Sequence, residues 1–283
     1  MIWDVHTHIF LPEVRRDRER FFKGEDEFQW IYQNEKARMV GPEDLLTTMG
    51  EDGVERSVVF SFPWRDPGLA RESNDYVLES AQRSGGRLIP MACFDPLSKE
   101  AANETERCLI AGARGVGELA LYLAGSMDEM IKNLTPVAEL LKAYGWPLLI
   151  HTNEPIGHPY PGKADMGLKD IYDLVKAFSE NTLILAHWGG GLFFYGLLKK
   201  EVPEMLKNVY YDTAASPFLY LPQSVEFACK RVGADKVLFG SDYPLIRPAR
   251  YYREMKAARL DPDDLAMILS GNLERLMSQE KEF

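Results

Sequence analysis

The feature that most constrains this chain is an alternation repeated eight times: a short β-branched or apolar run, then a longer stretch whose apolar residues recur at helical spacing. Parallel strands need a crossover between them, so this rhythm marks a parallel sheet with helices laid against it. The runs expected as strands are Ile2 to His8, Ser57 to Ser61, Leu88 to Phe94, Arg114 to Leu119, Pro147 to His151, Thr182 to His187, Val209 to Thr213 and Val237 to Asp242. The stretches Asn74 to Gln82, Asp128 to Ala143, Leu168 to Phe178, Leu192 to Leu206 and Leu221 to Arg231 suit crossover helices. Eight such units close into a TIM (β/α)8 barrel. An open doubly wound sheet is the alternative, and no GxGxxG turn opens a first helix to support it.

The 283 residues suit one barrel, read as a single domain over residues 1–283. One segment interrupts the rhythm. Between residues 11 and 40 a charged, aromatic-rich insertion, with Phe21, Phe22, Phe28, Trp30 and Tyr32, separates the first strand from the helix that Pro42-Glu43-Asp44 opens. It leaves the barrel at the end where strands finish and is expected to be a lid, with a solvated excursion or an oligomer contact as the alternative.

Charge narrows the partners. With 33 basic against 43 acidic residues the chain carries −10, which repels a phosphate backbone, so nucleic acid is not expected and a small-molecule substrate is. No apolar run reaches the length of a bilayer span, and Met1-Ile2-Trp3-Asp4-Val5 reads as the start of a buried strand rather than as a basic-then-apolar leader, so no membrane association is expected. Cys93, Cys108 and Cys229 are odd in number, far apart and free of any CxxC pairing, which points away from a disulfide framework and toward a reducing cytoplasm. A homo-oligomer stays open.

Residues two apart in a strand face the same side, so His6 and His8 of Asp4-Val5-His6-Thr7-His8 project together. Four of the five histidines fall at the carboxyl ends of the first, fifth and sixth expected strands. Leu148-Leu149-Ile150-His151 and Leu183-Ile184-Leu185-Ala186-His187 are apolar runs that stop on histidine, and Val237-Leu238-Phe239-Gly240-Ser241-Asp242 stops on a carboxylate. In a barrel these ends meet at one face, so positions more than two hundred apart can share one ion. Imidazoles and a carboxylate without thiolate suit a divalent cation, zinc first and then manganese, iron or nickel; a hydrogen-bonded polar core is the competing reading.

Around that face, His158 lies in a turn-rich loop after His151 and is expected to contact substrate, or else simply to face solvent. Arg247, just past Asp242-Tyr243-Pro244, is expected to pair a substrate carboxylate, or to decorate a surface turn. Trp188 and glycines 189 to 191 follow His187 and either approach a ligand or serve a tight turn. Asp212, ending the seventh strand, either orients a ligand histidine or satisfies buried amides.

Taken together, the HxH after the first strand, the single histidines ending strands five and six, and Phe239-Gly240-Ser241-Asp242-Tyr243-Pro244 resemble the amidohydrolase superfamily, specifically its amidohydrolase-2 branch. The resemblance runs from Asp4 to the Ser270-Gly271-Asn272-Leu273-Glu274-Arg275-Leu276 tail. It implies His6, His8, His151 and Asp242 as metal ligands, with His187 either binding a second metal or acting on the substrate. Glu118, in Gly115-Val116-Gly117-Glu118-Leu119, looks like the Gly-Glu motif of TatD-type enzymes, whose glutamate binds metal; a strand-end hydrogen bond is the alternative. The function expected is a metal-dependent hydrolase: metal-activated water attacks an amide, lactone or ester, with Asp242 moving the proton and His187 assisting. The alternative is a non-oxidative decarboxylase of an aromatic or unsaturated acid, resembling aminocarboxymuconate semialdehyde decarboxylase, in which His187 serves in proton transfer. Glu118 weighs against it, because such single-metal relatives generally have no ligand from that strand. A TatD-like nuclease and a binding barrel without turnover are the remaining alternatives.

Overall fold

The computed structural model describes residues 1–278. Among them eight strands follow in chain order: β1 (Trp3–His8), β2 (Arg56–Phe60), β3 (Leu88–Pro90), β4 (Val116–Leu119), β5 (Leu148–Ile150), β6 (Leu183–Leu185), β7 (Val209–Asp212) and β8 (Val237–Leu238). All pair in parallel, as one ladder of β1 to β3 and one of β4 to β8. Backbone bonds across both seams close them into a TIM barrel. Val5 N donates to Phe239 O at 2.9 Å and Asp242 N to His6 O at 2.9 Å, while Ala92 N donates to Gly115 O at 3.0 Å and Gly117 N to Ala92 O at 2.8 Å.

The strands are buried apolar runs, as in a sheet covered on both sides: Val58, Val116, Leu148, Leu183, Val209 and Leu238 are all shielded from solvent. Several are shorter than their sequence suggests. β3, β6 and β8 stop before Phe94, His187 and Asp242, so two of the chemistry-bearing residues sit just past the regular ladder. His187 (φ 54°) and Asp242 (φ 58°) occupy the left-handed region, a conformation that leaves a strand and that non-glycine residues rarely adopt.

The helices Pro67–Arg83, Met127–Tyr144, Leu168–Ala177 and Gln223–Val232 stand where amphipathic spacing places them. The helix expected from Leu192 to Leu206 does not form as one element. Five successive residues with positive φ, His187 to Gly191, lead into 3-10 turns up to Leu197, Lys200 takes φ 70°, and only Glu201–Met205 is α-helical. Gly190 shows why the turn is needed here: a Cβ on it would lie 2.4 Å from the Asn153 carbonyl oxygen, so only glycine lets the chain after β6 pass this close to the chain after β5.

The insertion is ordered as two short helices, Pro12–Arg16 and Asp26–Tyr32, with a 3-10 turn at Arg18–Phe21. Its anchor is aromatic: Phe28 is fully buried, with its ring 4.5 Å from that of Trp64 and 5.3 Å from that of Phe62. The Glu25 carboxylate adds a polar clamp, accepting from Asp66 N at 2.8 Å and Arg65 N at 3.0 Å. The far end of the insertion lies over the carboxyl ends of the strands, where Ile31, Tyr32, Asn34 and Arg38 line a cavity.

Candidate active site

Five strands deliver side chains to one place. Alternation in β1 sends His6 and His8 to the same side, and their Nε2 atoms come within 3.2 Å of each other. Gly240 leaves the room this requires, since a Cβ there would sit 3.1 Å from His6 Cβ. Glu118, next to last in β4, stands beside them and turns one oxygen each way. Its Oε2 is 3.5 Å from His6 Nε2 and 3.8 Å from His8 Nε2, while its Oε1 is 3.1 Å from His151 Nδ1 and 3.4 Å from His187 Nε2. Asp242 Oδ1 completes the ring at 3.4 Å from His8 Nε2 and 3.7 Å from His6 Nε2. His6, His151, His187 and Glu118 are buried, and His8 and Asp242 are only partly exposed.

A second layer fixes these groups. His6 Nδ1 donates to Asp212 Oδ2 at 2.8 Å, which keeps its Nε2 turned toward the cluster. The other oxygen of Asp212 accepts from His187 N at 2.8 Å and Ala214 N at 3.0 Å, so this one carboxylate does both things the sequence left open: it orients a histidine and satisfies buried amides. His187 Nδ1 donates to Ala214 O at 3.1 Å and His8 Nδ1 to Ser61 O at 3.2 Å, leaving both Nε2 atoms toward the cluster.

The electrostatics are those of a container for positive charge. Burial opposes a charged His6, yet Glu118 and Asp212 together raise its pKa well above the ordinary histidine value. Burial likewise opposes charge on His187, but the hydrogen bond and charge of Glu118 raise it to about 9. Burial alone lifts the carboxyl of Glu118; His6 and His151 reverse this and hold it well below the usual carboxylate range. Asp242 is lowered in the same way, against burial, by His8 and His6. Protons on histidine thus supply positive charge that the carboxylates demand. A divalent cation supplies the same charge without burying imidazolium ions side by side.

The donor set fits such an ion. Three groups, His6 with His8 and Glu118, His6 with His187 and Asp242, and Glu118 with His151 and His187, each bring one ligand atom per residue within 4.8 Å of one another. His151 Nε2 is buried with no hydrogen-bond partner among the described residues, the condition of a ligand atom rather than of a packed core histidine. The oxygen and nitrogen chemistry suits manganese or zinc alike.

Above the cluster the cavity opens, about 630 Å³ in volume, with His8, Glu118, His151, His187 and Asp242 on its floor. Tyr32, Phe62 and Tyr122 form an aromatic wall, with Phe62 and Tyr122 nearly parallel at 11°. Among the expected substrate contacts, His158 lines this cavity. The other two do not. Arg247 turns away to the surface, where Nη2 donates to Glu51 at 2.8 Å and the guanidinium pairs with Asp52, because residue 247 begins the helix Pro248–Ala257 that packs beside Pro42–Asp52. Trp188 is buried beneath the turn after β6, donating from Nε1 to Ser216 Oγ at 2.6 Å. Sequence reasoning missed Phe62 and Tyr122 as site residues; each lies in a strand-to-helix loop, and only the general rule that such loops build the barrel's working face pointed there.

Comparison with known proteins bears on both family and chemistry. A family model described as amidohydrolase matches residues 3–277. A comparison with curated proteins finds no match. Among solved structures, this chain is similar to 5-carboxyvanillate decarboxylase of Novosphingobium aromaticivorans, complexed with manganese and 4-hydroxy-3-methoxy-5-nitrobenzoic acid: 17% identity, 98% of this chain and 96% of that one, TM-score 0.76. It is similar to dihydroxybenzoic acid decarboxylase of Polaromonas sp., with bound manganese and the inhibitor 2-nitroresorcinol: 16% identity, 99% and 98% covered, TM-score 0.72. It is similar too to 2,6-dihydroxybenzoate decarboxylase of Rhizobium, at 18% identity, 98% and 99% covered, TM-score 0.68. These neighbours overturn the hydrolase expectation. They are decarboxylases of aromatic acids, which is a lyase reaction, on the barrel that this chain shares. Nor do they support the TatD-type reading of Gly117-Glu118, and the metal bound in two of them is manganese, where zinc was expected first. No helix among the described residues is long and apolar enough to cross a membrane.

Proposed function

The chain belongs to the amidohydrolase family, and from that membership we propose that it is a metal-dependent, non-oxidative decarboxylase of an aromatic acid, with manganese as its metal. The observation that carries the proposal is the meeting of a metal-ligand floor with an aromatic wall in one cavity: His8, His151 and Asp242 below Tyr32, Phe62 and Tyr122. The manganese-bound aromatic-acid decarboxylases among its structural neighbours support both the reaction class and the metal.

In this reading His6, His8, His151 and Asp242 hold the cation, and Asp212 keeps His6 turned to it. A divalent cation held there would supply a Lewis acid for the substrate's carboxylate. Phe62 and Tyr122 flank the ring of the acid, and His158 meets it at the rim. The reaction breaks the bond between ring carbon and carboxylate, releases carbon dioxide and leaves a proton to be added at that carbon. His187 would add it, a role supported by the bond of its Nδ1 to Ala214 O, which leaves its Nε2 toward Glu118 at 3.4 Å. The insertion acts as a lid, lending Ile31, Tyr32 and Arg38 to the wall and limiting the water that reaches the site.

The test is reconstitution. Metal-stripped protein loaded with manganese releases carbon dioxide from a panel of hydroxybenzoic acids, stripped protein does not, and metal analysis finds one ion per chain. No release from any aromatic acid by the loaded protein defeats the proposal. Two ions per chain would place His187, with Glu118 Oε1 and His151, in ligation and remove it as the proton carrier.

A further inference from the structure

The cavity is larger than its floor requires, and one side of its mouth is apolar in a way that the chemistry at the bottom does not explain. At about 630 Å³ it falls among sites that enclose drug-sized ligands, so a one-ring acid held at the metal corner leaves the outer part unfilled. The outer lining is divided. The insertion contributes Asn34, Lys36 and Arg38, all exposed and polar. Across the mouth, the loops after β7 and β8 contribute Phe218, Leu219 and Leu245. Phe218, with the Arg250 guanidinium 5.0 Å from its ring centre, is 56% exposed and Leu245 is 54% exposed, and both line the cavity.

Single exposed apolar residues on a surface need no explanation. Two large ones lining the same cavity as the aromatic wall and the metal-ligand floor give apolar surface that can be removed from water when a ligand binds. A polar or charged extension would leave that surface wet and would be drawn instead to Lys36 and Arg38. We infer that the substrate carries an apolar extension of several carbons, which leaves the ring opposite the reacting carboxylate and lies along Phe218, Leu219 and Leu245. The inference rests on the reading of this cavity as the site of an aromatic acid, and it adds the class: an alkyl- or aryl-extended aromatic acid rather than a bare benzoate.

The experiment uses 4-alkylbenzoates, from unsubstituted to hexyl, which lack the hydroxyl groups that assist carbon dioxide loss and so report binding alone. Calorimetric titration into manganese-loaded full-length protein is expected to show affinity rising about three- to fourfold for each methylene that is buried, then levelling once the chain leaves the mouth. Phe218→Ser with Leu245→Ser is expected to flatten the rise. Leu198→Ser, at an equally exposed leucine outside the cavity, is expected to keep it. Affinity independent of chain length, no binding at any length, or the same slope in the double serine variant overturns the inference. Failure of the decarboxylase reading is separate and visible elsewhere: no carbon dioxide from hydroxylated acids while the chain-length dependence stands.

Discussion

Replacing Asp212 separates the fold from the metal site. The carboxylate is fully buried and accepts three hydrogen bonds, from His6 Nδ1 at 2.8 Å, His187 N at 2.8 Å and Ala214 N at 3.0 Å. In Asp212→Ala, two buried amides lose their acceptor at about 1–3 kcal/mol each, so roughly 2–6 kcal/mol of stability goes, before any cavity is counted. Asp212→Asn is the sharper perturbation. Its amide oxygen can keep the His187 and Ala214 amides, so the melting temperature should change little. Its NH2 group, however, meets His6 Nδ1, which must then accept rather than donate. That forces the ring proton onto Nε2, the atom 3.5 Å from Glu118 and 3.7 Å from Asp242 that the cation needs unprotonated. The expected outcome is a manganese affinity lowered about 10- to 100-fold, measured by chelator competition, in a protein whose thermal melt overlays the parent's. An Asn variant that binds manganese as tightly as the parent would refute the orienting role of Asp212 and, with it, the assignment of His6 Nε2 as a ligand atom.

Other consequences are simpler. Arg247→Ala removes an exposed ion pair to Glu51 and a pair to Asp52, whose carboxylate is shielded and keeps only the Ala249 amide at 3.1 Å; turnover should be unchanged while stability falls by about 1–3 kcal/mol in a denaturant titration, whereas a loss of substrate affinity would return Arg247 to the site. Gly190→Ala puts a Cβ 2.4 Å from the Asn153 carbonyl oxygen at φ +59°, so the melting temperature should fall by about 5 °C or more, and an unchanged melt would contradict the packing described. Half-buried Glu104 has its pKa lowered, against burial, by hydrogen bonds from Arg107 and Asn74. A depressed folded-state value stabilises above the unfolded value of 4.5 and is lost as pH falls through the folded one. Glu104→Gln should therefore narrow the gap in melting temperature between pH 7 and pH 3.5; an unaltered gap argues against that pairing.

How much of this was legible in the sequence depends on what kind of fact was asked. His6 and His8 were readable because strand alternation is rigid, and His151, His187 and Asp242 because apolar runs have no packing reason to stop on ionisable groups. The barrel supplied the rest, since it brings strand ends to one face whatever their separation along the chain. Arg247 and Trp188 were misplaced for a matching reason. Nearness in sequence to a site residue does not say which way a loop residue turns, and here one caps a helix against Asp52 while the other packs under Ser216. The helix expected from Leu192 failed because its apolar spacing was read without the left-handed turn that Gly189 to Gly191 impose before it. The choice between hydrolysis and decarboxylation lay out of reach altogether. The histidines and the aspartate read from the sequence suit either reaction, and the preference for decarboxylation came from the structural neighbours, while Tyr32, Phe62 and Tyr122 come from three separate connections with no shared spacing.

The central claim is that side chains from distant strand ends close on one cation beneath that wall. Diffraction from manganese-loaded crystals at the manganese absorption edge tests it without reference to turnover. The account predicts an anomalous peak on the cavity floor, within about 2.0–2.3 Å of His6, His8, His151 and Asp242 ligand atoms. A peak elsewhere on the molecule, with those side chains keeping their contacts to one another, would contradict it.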